Sequence, residues 1–263
     1  MENLRIIIAG RGVQGLKRQK ICGDDFVAFV DPNSDHSEFN DITDVPLDIY
    51  DAVLGCIPDG PKSEFAHYCL SHGKHLLLEK PFWVPNDSDF GVLQKIAQAN
   101  NTVCYTAYNH RFEPHFQGMQ ALIKSGKLGR IYRCRMFYGN GTAQLVKNSE
   151  WRDQGAGVLS DLGSHLIDTC QFWFGDTLNP NNWKIISANC FENRAPDHVV
   201  IGYQDNKISI ELEMTMLMWR NHFTCDVLAE KGSAHIESLC KWGPSTFIFR
   251  ERVFPSGRPI EHN

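Results

Sequence analysis

Two residue sets in this sequence have the types and spacing to do chemistry. The first is Glu79-Lys80-Pro81, which closes the apolar run Leu76-Leu77-Leu78. A carboxylate and an ammonium at the end of a buried strand are costly unless they find partners or do work. Pro81 has no N–H to donate and stops strand pairing there. In an open parallel sheet the carboxyl ends of the strands line the ligand crevice, which puts Lys80 where a substrate would sit. A plain surface ion pair before a turn would have the same sequence. The second set is Asp161 and His165, four residues apart and so on one face of a helix. A neutral imidazole can accept a hydroxyl proton, although an ordinary helical Asp–His pair reads the same way. Gly155, Gly157 and Gly163 favour the working reading, because glycine lets a backbone or a ligand come close.

The elements that must position these residues are readable in chain order. Leu4 to Ala9 is an apolar, β-branched run that leads into Gly10-Arg11-Gly12-Val13-Gln14-Gly15. A helix follows over Val13 to Cys22, then a strand over Phe26 to Val30 with Asp31 at its end. A G-x-G-x-x-G between strand and helix, with an acid about twenty residues on, is the dinucleotide fingerprint. The glycines admit the pyrophosphate to the backbone, and the helix N-terminus favours its charge. Asp31 can hydrogen-bond the adenosine ribose and repel a 2′-phosphate. Arg11 could reach that phosphate, but Pro32-Asn33-Ser34 adds no cation, so NAD is expected over NADP. Residues 32–50 read as a polar loop with at most one short strand. Strands are expected at Ala52–Ile57, before Pro58, and at Val103–Tyr108, before Asn109-His110-Arg111-Phe112. The intervening helices are expected over Lys62–His72 and from Asn86 or Asp87 to Asn100.

The second half reads as a helix from Glu113 to Lys124, an alternating strand from Arg130 to Tyr138 and a polar loop from Gly139 to Gln154. The glycine-rich helix through Asp161 and His165 ends at Gly175, and six consecutive strands follow. The fold class is therefore α/β: a doubly wound parallel sheet over residues 1–112, then an α+β domain with a mainly antiparallel open sheet over 113–263. Ile210, Leu212, Met214, Met216 and Met218 alternate along one strand, and a homo-oligomer built on that face is expected.

Composition excludes several classes. The net charge is -5 and the pI about 6.1, which argues against a nucleic-acid partner. No apolar stretch reaches the length of a membrane span, and no leader segment is visible. The nine cysteines lack a Cys-x-x-Cys pair, as expected of reduced thiols in the cytoplasm and of a chain without structural zinc.

Taken together, the glycine turn, Glu79-Lys80-Pro81, Ser149-Glu150-Trp151-Arg152 and Gly155-Ala156-Gly157 through Asp161 to His165 resemble the Gfo/Idh/MocA oxidoreductases. The resemblance covers essentially the whole chain. It implies an NAD(P)-dependent dehydrogenase acting on a sugar, an inositol or a sugar nucleotide. It implies that Lys80, Asp161 and His165 form the catalytic set and that the Lys80–Pro81 bond is cis. On that basis the nicotinamide is expected near Pro58 and Glu79-Lys80-Pro81. His165 would take the hydroxyl proton, Lys80 would stabilise the oxygen's charge, and Asp161 would orient a substrate hydroxyl or His165. Asn109, Arg111, Trp151 and Arg152 are the candidate substrate or nicotinamide neighbours. The sequence departs from the family pattern in the short stretch after Asp31 and in stopping at Asn263, before the usual C-terminal helical segment. The shortened end motivates a rival expectation, a non-catalytic dinucleotide-binding sensor or assembly protein.

Overall fold

The computed structural model describes residues 4–84, 86–149 and 152–262, with the side chains of Asp87 and Asp176 also outside the description. The chain divides into two compact units, one up to Ala107 and one from Tyr108.

The first unit is built on β1 (Ile6–Ala9), β2 (Phe26–Val30), β3 (Ala52–Gly55), β4 (His75–Leu78) and β5 (Cys104–Thr106). They lie in the order β2-β1-β3-β4-β5, and every pair is parallel. Parallel strands covered on both faces need apolar residues on both sides, which explains the unbroken buried run of β1. Ile6, Ile8, Phe29 and Ala52 pack on one face with Cys22 from α1 (Val13–Cys22). Ile7, Val30, Val53, Leu76 and Leu78 pack on the other, against α2 (Lys62–Ser71) and α3 (Asp87–Ala99). Residues 32–50 hold no α-helix. They form two single 3-10 turns, Ile42–Asp44 and Leu47–Ile49, and Phe39 bridges to Val30. Ile42, Val45 and Tyr50 drop from this loop into the core. Asp41 caps the first turn by accepting from Thr43 N–H at 2.8 Å.

The second unit opens with the 3-10 turn Asn109–Phe112 and α4 (Pro114–Lys124). The strand β6 (Ile131–Gly139) follows, then a short helix α5 (Ala143–Lys147) inside the stretch expected to be loop. A π-helical turn, Leu159–Gly163, runs into α6 (Ser164–Phe174). Then come β7 (Trp183–Asn189), β8 (His198–Gln204), β9 (Ser209–Thr215), β10 (His222–Ala229), β11 (Gly232–Glu237), β12 (Thr246–Val253) and β13 (Gly257–His262). The sheet order is β13-β12-β11-β10-β6-β9-β8-β7, antiparallel except for the β6–β9 pair.

The faces of this sheet correct one expectation. Ile210, Leu212, Met214 and Met216 are buried in a core that includes Leu166, Cys170 and Trp173 of α6 and Phe116 of α4. The apolar row therefore faces the helices and is not the open face. Met218 lies past the end of β9 and is only partly buried. The open face carries the intervening residues, Glu211 and Glu213, beside Arg133 and Arg135 of β6. They pair across the strands at 3.0 Å (Arg135–Glu211), 3.4 Å (Arg135–Glu213) and 3.5 Å (Arg133–Glu211). Among the described residues, no helix is long and apolar enough to cross a membrane.

Candidate active site

The carboxyl ends of β1, β3 and β4 carry the first set of candidate residues. Ladder bonds align these ends: Cys56 N–H donates to Ala9 O at 2.7 Å and Glu79 N–H to Gly55 O at 2.9 Å. Gly10 has φ +91°, and a Cβ there would stand 2.3 Å from Cys56 O, so only glycine fits. A Cβ on Gly15 would stand 1.9 Å from Gly10 O, which is why α1 can start so close to β1. Gly12 has open space where its Cβ would be. The first bond inside α1 is Leu16 N–H to Gly12 O, 3.0 Å, so the N–H groups of Val13, Gln14 and Gly15 have no acceptor within the helix. An open cradle below free helix N–H groups has the chemistry a pyrophosphate needs.

Asp31 stands at the end of β2, its carboxylate accepting from Arg11 N–H at 2.7 Å and Asn33 N–H at 2.9 Å. The Arg11 guanidinium lies 5.3 Å from the centre of the Phe29 ring. The six turn residues and Asp31 are thus brought together. Pro58 follows β3 and is exposed.

Glu79-Lys80-Pro81 follows β4, and the Lys80–Pro81 peptide bond is cis. The Glu79 carboxylate is held by Arg18 of α1, at 2.5 Å to Nη2 and 3.0 Å to Nε. From the α2 side, Lys62 is 1% exposed and its Nζ donates to Asp59 Oδ1 at 2.7 Å and to the carbonyls of Glu79 and Pro81, both at 2.6 Å. Burial pushes the neighbouring Cys56 thiol up to about 12, so it is no thiolate nucleophile. Lys62 and Arg18 are not among the candidates drawn from the sequence. A signal for Lys62 exists: a cation in the first turn of a helix opposes the helix dipole.

The second set lies in the second unit. His165 is buried on α6, and its ring stacks on that of His110, with centroids 4.4 Å apart and planes at 23°. Tyr108 meets His165 edge-on at 5.8 Å, and Tyr138 closes over both imidazoles at 5.5 and 6.3 Å. Burial raises the phenols of Tyr108 and Tyr138, with Asp168 adding to the first and Asp161 to the second. Both therefore stay neutral donors. Arg111 forks onto Asp168 at 2.8 and 2.5 Å and stacks 5.5 Å over Phe172. Its guanidinium is thus engaged by α6. Asn109 is exposed on the same turn.

Asp161 sits in the π-helical turn, so its four-residue spacing to His165 crosses the junction into α6 instead of lying within one α-helix. Arg152 Nη2 approaches Asp161 Oδ2 at 3.4 Å. The glycines give the turn its position. Gly157 has φ +52°, and a Cβ on it would stand 2.1 Å from Pro196 O. A Cβ on Gly163 would stand 2.6 Å from Met214 Sδ, so the turn presses on β9. Trp151 lies outside the described residues. Among the described residues, no group of three or more His, Cys, Asp or Glu is placed to hold a metal ion.

Residues 116–235 match the family model described as the GFO/IDH/MocA C-terminal domain. An uncharacterized oxidoreductase of Schizosaccharomyces pombe is 31% identical over 126 residues, 47% of this chain and 33% of that protein. The scyllo-inositol 2-dehydrogenase (NADP(+)) of Bacillus subtilis is 28% identical over 160 residues, 60% of this chain and 42% of that protein. The chain thus spans less than half the length of either relative. Among solved structures, the WlbA dehydrogenase of Bordetella pertussis in complex with NADH and UDP-GlcNAcA superposes with a TM-score of 0.77 at 18% identity, over 92% of this chain and 81% of that one. An inositol dehydrogenase homolog of Azotobacter vinelandii, with NADH and myo-inositol, superposes with a TM-score of 0.72 at 18% identity, over 95% of this chain and 76% of that one. These likenesses show a shared fold.

Proposed function

We propose that the chain is an oxidoreductase of the GFO/IDH/MocA type, a reading supported by the match of its second unit to that family's C-terminal domain. It moves a hydride between a nicotinamide cofactor and a hydroxyl or keto carbon of a sugar, a cyclitol or a sugar nucleotide. The observation that carries this reading is Lys80, fixed at the carboxyl end of β4 in the sheet whose β1 end bears the Gly10–Gly15 turn. Gly10, Arg11, Gly12, Val13, Gln14, Gly15 and Asp31 hold the dinucleotide, with Pro58 and Glu79-Lys80 at its nicotinamide end. When bound, the nicotinamide supplies the hydride acceptor or donor.

The chain's own residues do the rest. His165 takes the hydroxyl proton as a general base. Lys80 hydrogen-bonds the same oxygen and stabilises its developing charge. Asp161, supported by Arg152, orients a substrate hydroxyl or His165. Asn109, Trp151 and Arg152 are the substrate-facing candidates, whereas Arg111 serves α6 through Asp168.

Asp31 supports NAD as the preferred dinucleotide, since its carboxylate opposes a 2′-phosphate. The open face of the second sheet, with Arg133 and Arg135 on β6 beside Glu211 and Glu213 on β9, supports pairing with a second copy, because two such adjacent rows of opposite charge are complementary to their own reverse. Glu211→Lys should then shift sedimentation toward the monomer, and an unchanged profile counts against this face. Nine free cysteines support a cytoplasmic location.

The test of the function is NAD and NADP reduction with a panel of inositols, hexoses and sugar nucleotides. Turnover on a member of the panel is expected. Tight dinucleotide binding with no turnover across the panel would favour the sensor reading.

A further inference from the structure

The structure assigns to Lys62 the role of positioning residue for Lys80, an inference that rests on the proposed catalytic part of Lys80. The ammonium of Lys62 has three N–H groups and three acceptors at 2.6–2.7 Å, so it is fully satisfied. Two of those acceptors are the carbonyls of Glu79 and Pro81, which flank Lys80 on either side. The Glu79 carbonyl lies in the peptide plane that enters Lys80 and the Pro81 carbonyl in the plane that leaves Pro81, so holding both pins the backbone before and after Lys80 and restricts the direction in which its side chain leaves.

Three observations argue that this is more than packing. First, a buried ammonium is strongly destabilising unless partners compensate for its lost hydration. Lys62 is 1% exposed, while its carboxylate partner Asp59 has a side chain that is 49% exposed. Second, Lys62 opens α2, where a positive charge opposes the helix dipole. A site that needed only bulk would hold an apolar residue at lower cost. Third, the strand ladder gives out at this point. Glu79 N–H reaches Gly55 O at 2.9 Å, and Pro81 has no N–H to continue. Lys62 takes over where the ladder ends. Arg18 holds the Glu79 carboxylate from the other side, at 2.5 Å. Since α1 begins at the glycine turn, the Lys80 backbone is referenced to the same helix that carries the dinucleotide residues.

Hydrogen exchange tests the clamp without any substrate. In Lys62→Met, and less strongly in Lys62→Gln, amides of the segment 79–84 should exchange at least about tenfold faster, while those of β1 and β3 keep their rates. Unchanged exchange in 79–84, or a uniform rise through the first unit, would overturn the assignment. Turnover on a substrate from the panel tests the link to Lys80. Lys62→Met should lower kcat by roughly tenfold or more with Lys80 present, and by less than about twofold when Lys80 is already alanine. Equal losses in both backgrounds would make Lys62 merely structural. A Lys80→Ala variant with near-normal kcat would instead sink the catalytic reading and leave the exchange result standing.

Discussion

His110 and His165 stack with their ring centres 4.4 Å apart and their planes 23° from parallel. One residue along the turn, Arg111 forks onto Asp168, one helical turn beyond His165. The turn and α6 are therefore stapled at two adjacent points, one by ring surface and one by charge. An imidazole held this way has little rotational freedom, which suits the proposed role of His165 as a general base.

The fork makes Arg111 a support for α6. Arg111→Lys keeps the charge but loses the planar fork. Stability to urea should fall by about 1.5–3 kcal/mol, the range for hydrogen bonds to charged groups. The KM for substrate should stay within about twofold, because this account gives Arg111 no direct substrate contact. A large rise in KM with unchanged stability would make Arg111 a substrate ligand.

Gly157 anchors the turn that carries Asp161. Alanine there would combine φ +52° with a Cβ 2.1 Å from Pro196 O. Gly157→Ala should cost about 2–4 kcal/mol in urea unfolding, through backbone strain and overpacking together. A loss below the uncertainty of the measurement would mean that the backbone at Pro196 yields freely.

Acid should loosen the first unit at β1. The side chain and backbone N–H of Arg5 both donate to Asp51 and hold its carboxyl down, from 3.8 to about 2. A group depressed in the folded state stabilises above its unfolded pKa and loses that contribution as the pH falls through its folded one. Stability should therefore drop between pH 3.8 and about 2, and Asp51→Asn should flatten that slope. The pair is exposed enough for salt to screen it, so added salt should flatten it too. An Asp51→Asn profile parallel to the wild type in this window would contradict the assignment.

Asp31 should set the cofactor preference. Its carboxylate is tied to the backbone N–H groups of Arg11 and Asn33. Asp31→Ala should narrow the preference for NAD over NADP in a titration of both. Equal or tighter NADP binding by the wild type would give the decision to Arg11.

Much of this was readable in the sequence, for physical reasons. The unbroken apolar run of β1 and the glycine turn announce a parallel sheet, because such strands are buried on both faces. The alternation through Ile210, Leu212 and Met214 announces a strand, but alternation says only which residues share a face. It does not say which face the helices cover, and the row proved to be the covered one. The Lys62 clamp was hidden because its acceptors lie 17 and 19 residues away and are backbone carbonyls, to which sequence patterns are blind. The π-helical turn at Asp161 was hidden because one widened turn leaves the apolar spacing of a helix nearly intact.

The proposed function gives Lys80 and His165 parts in the same chemical step. Turnover and NAD affinity of Lys80→Ala, His165→Ala and the double variant test it most directly. Each single variant should lose roughly 10²–10⁴-fold in turnover, the range for a general acid–base group, with NAD affinity nearly unchanged. The double variant should lose far less than the product of the two, because both residues serve one transition state. Near-normal turnover in both single variants, or a double loss equal to the product, would contradict the account.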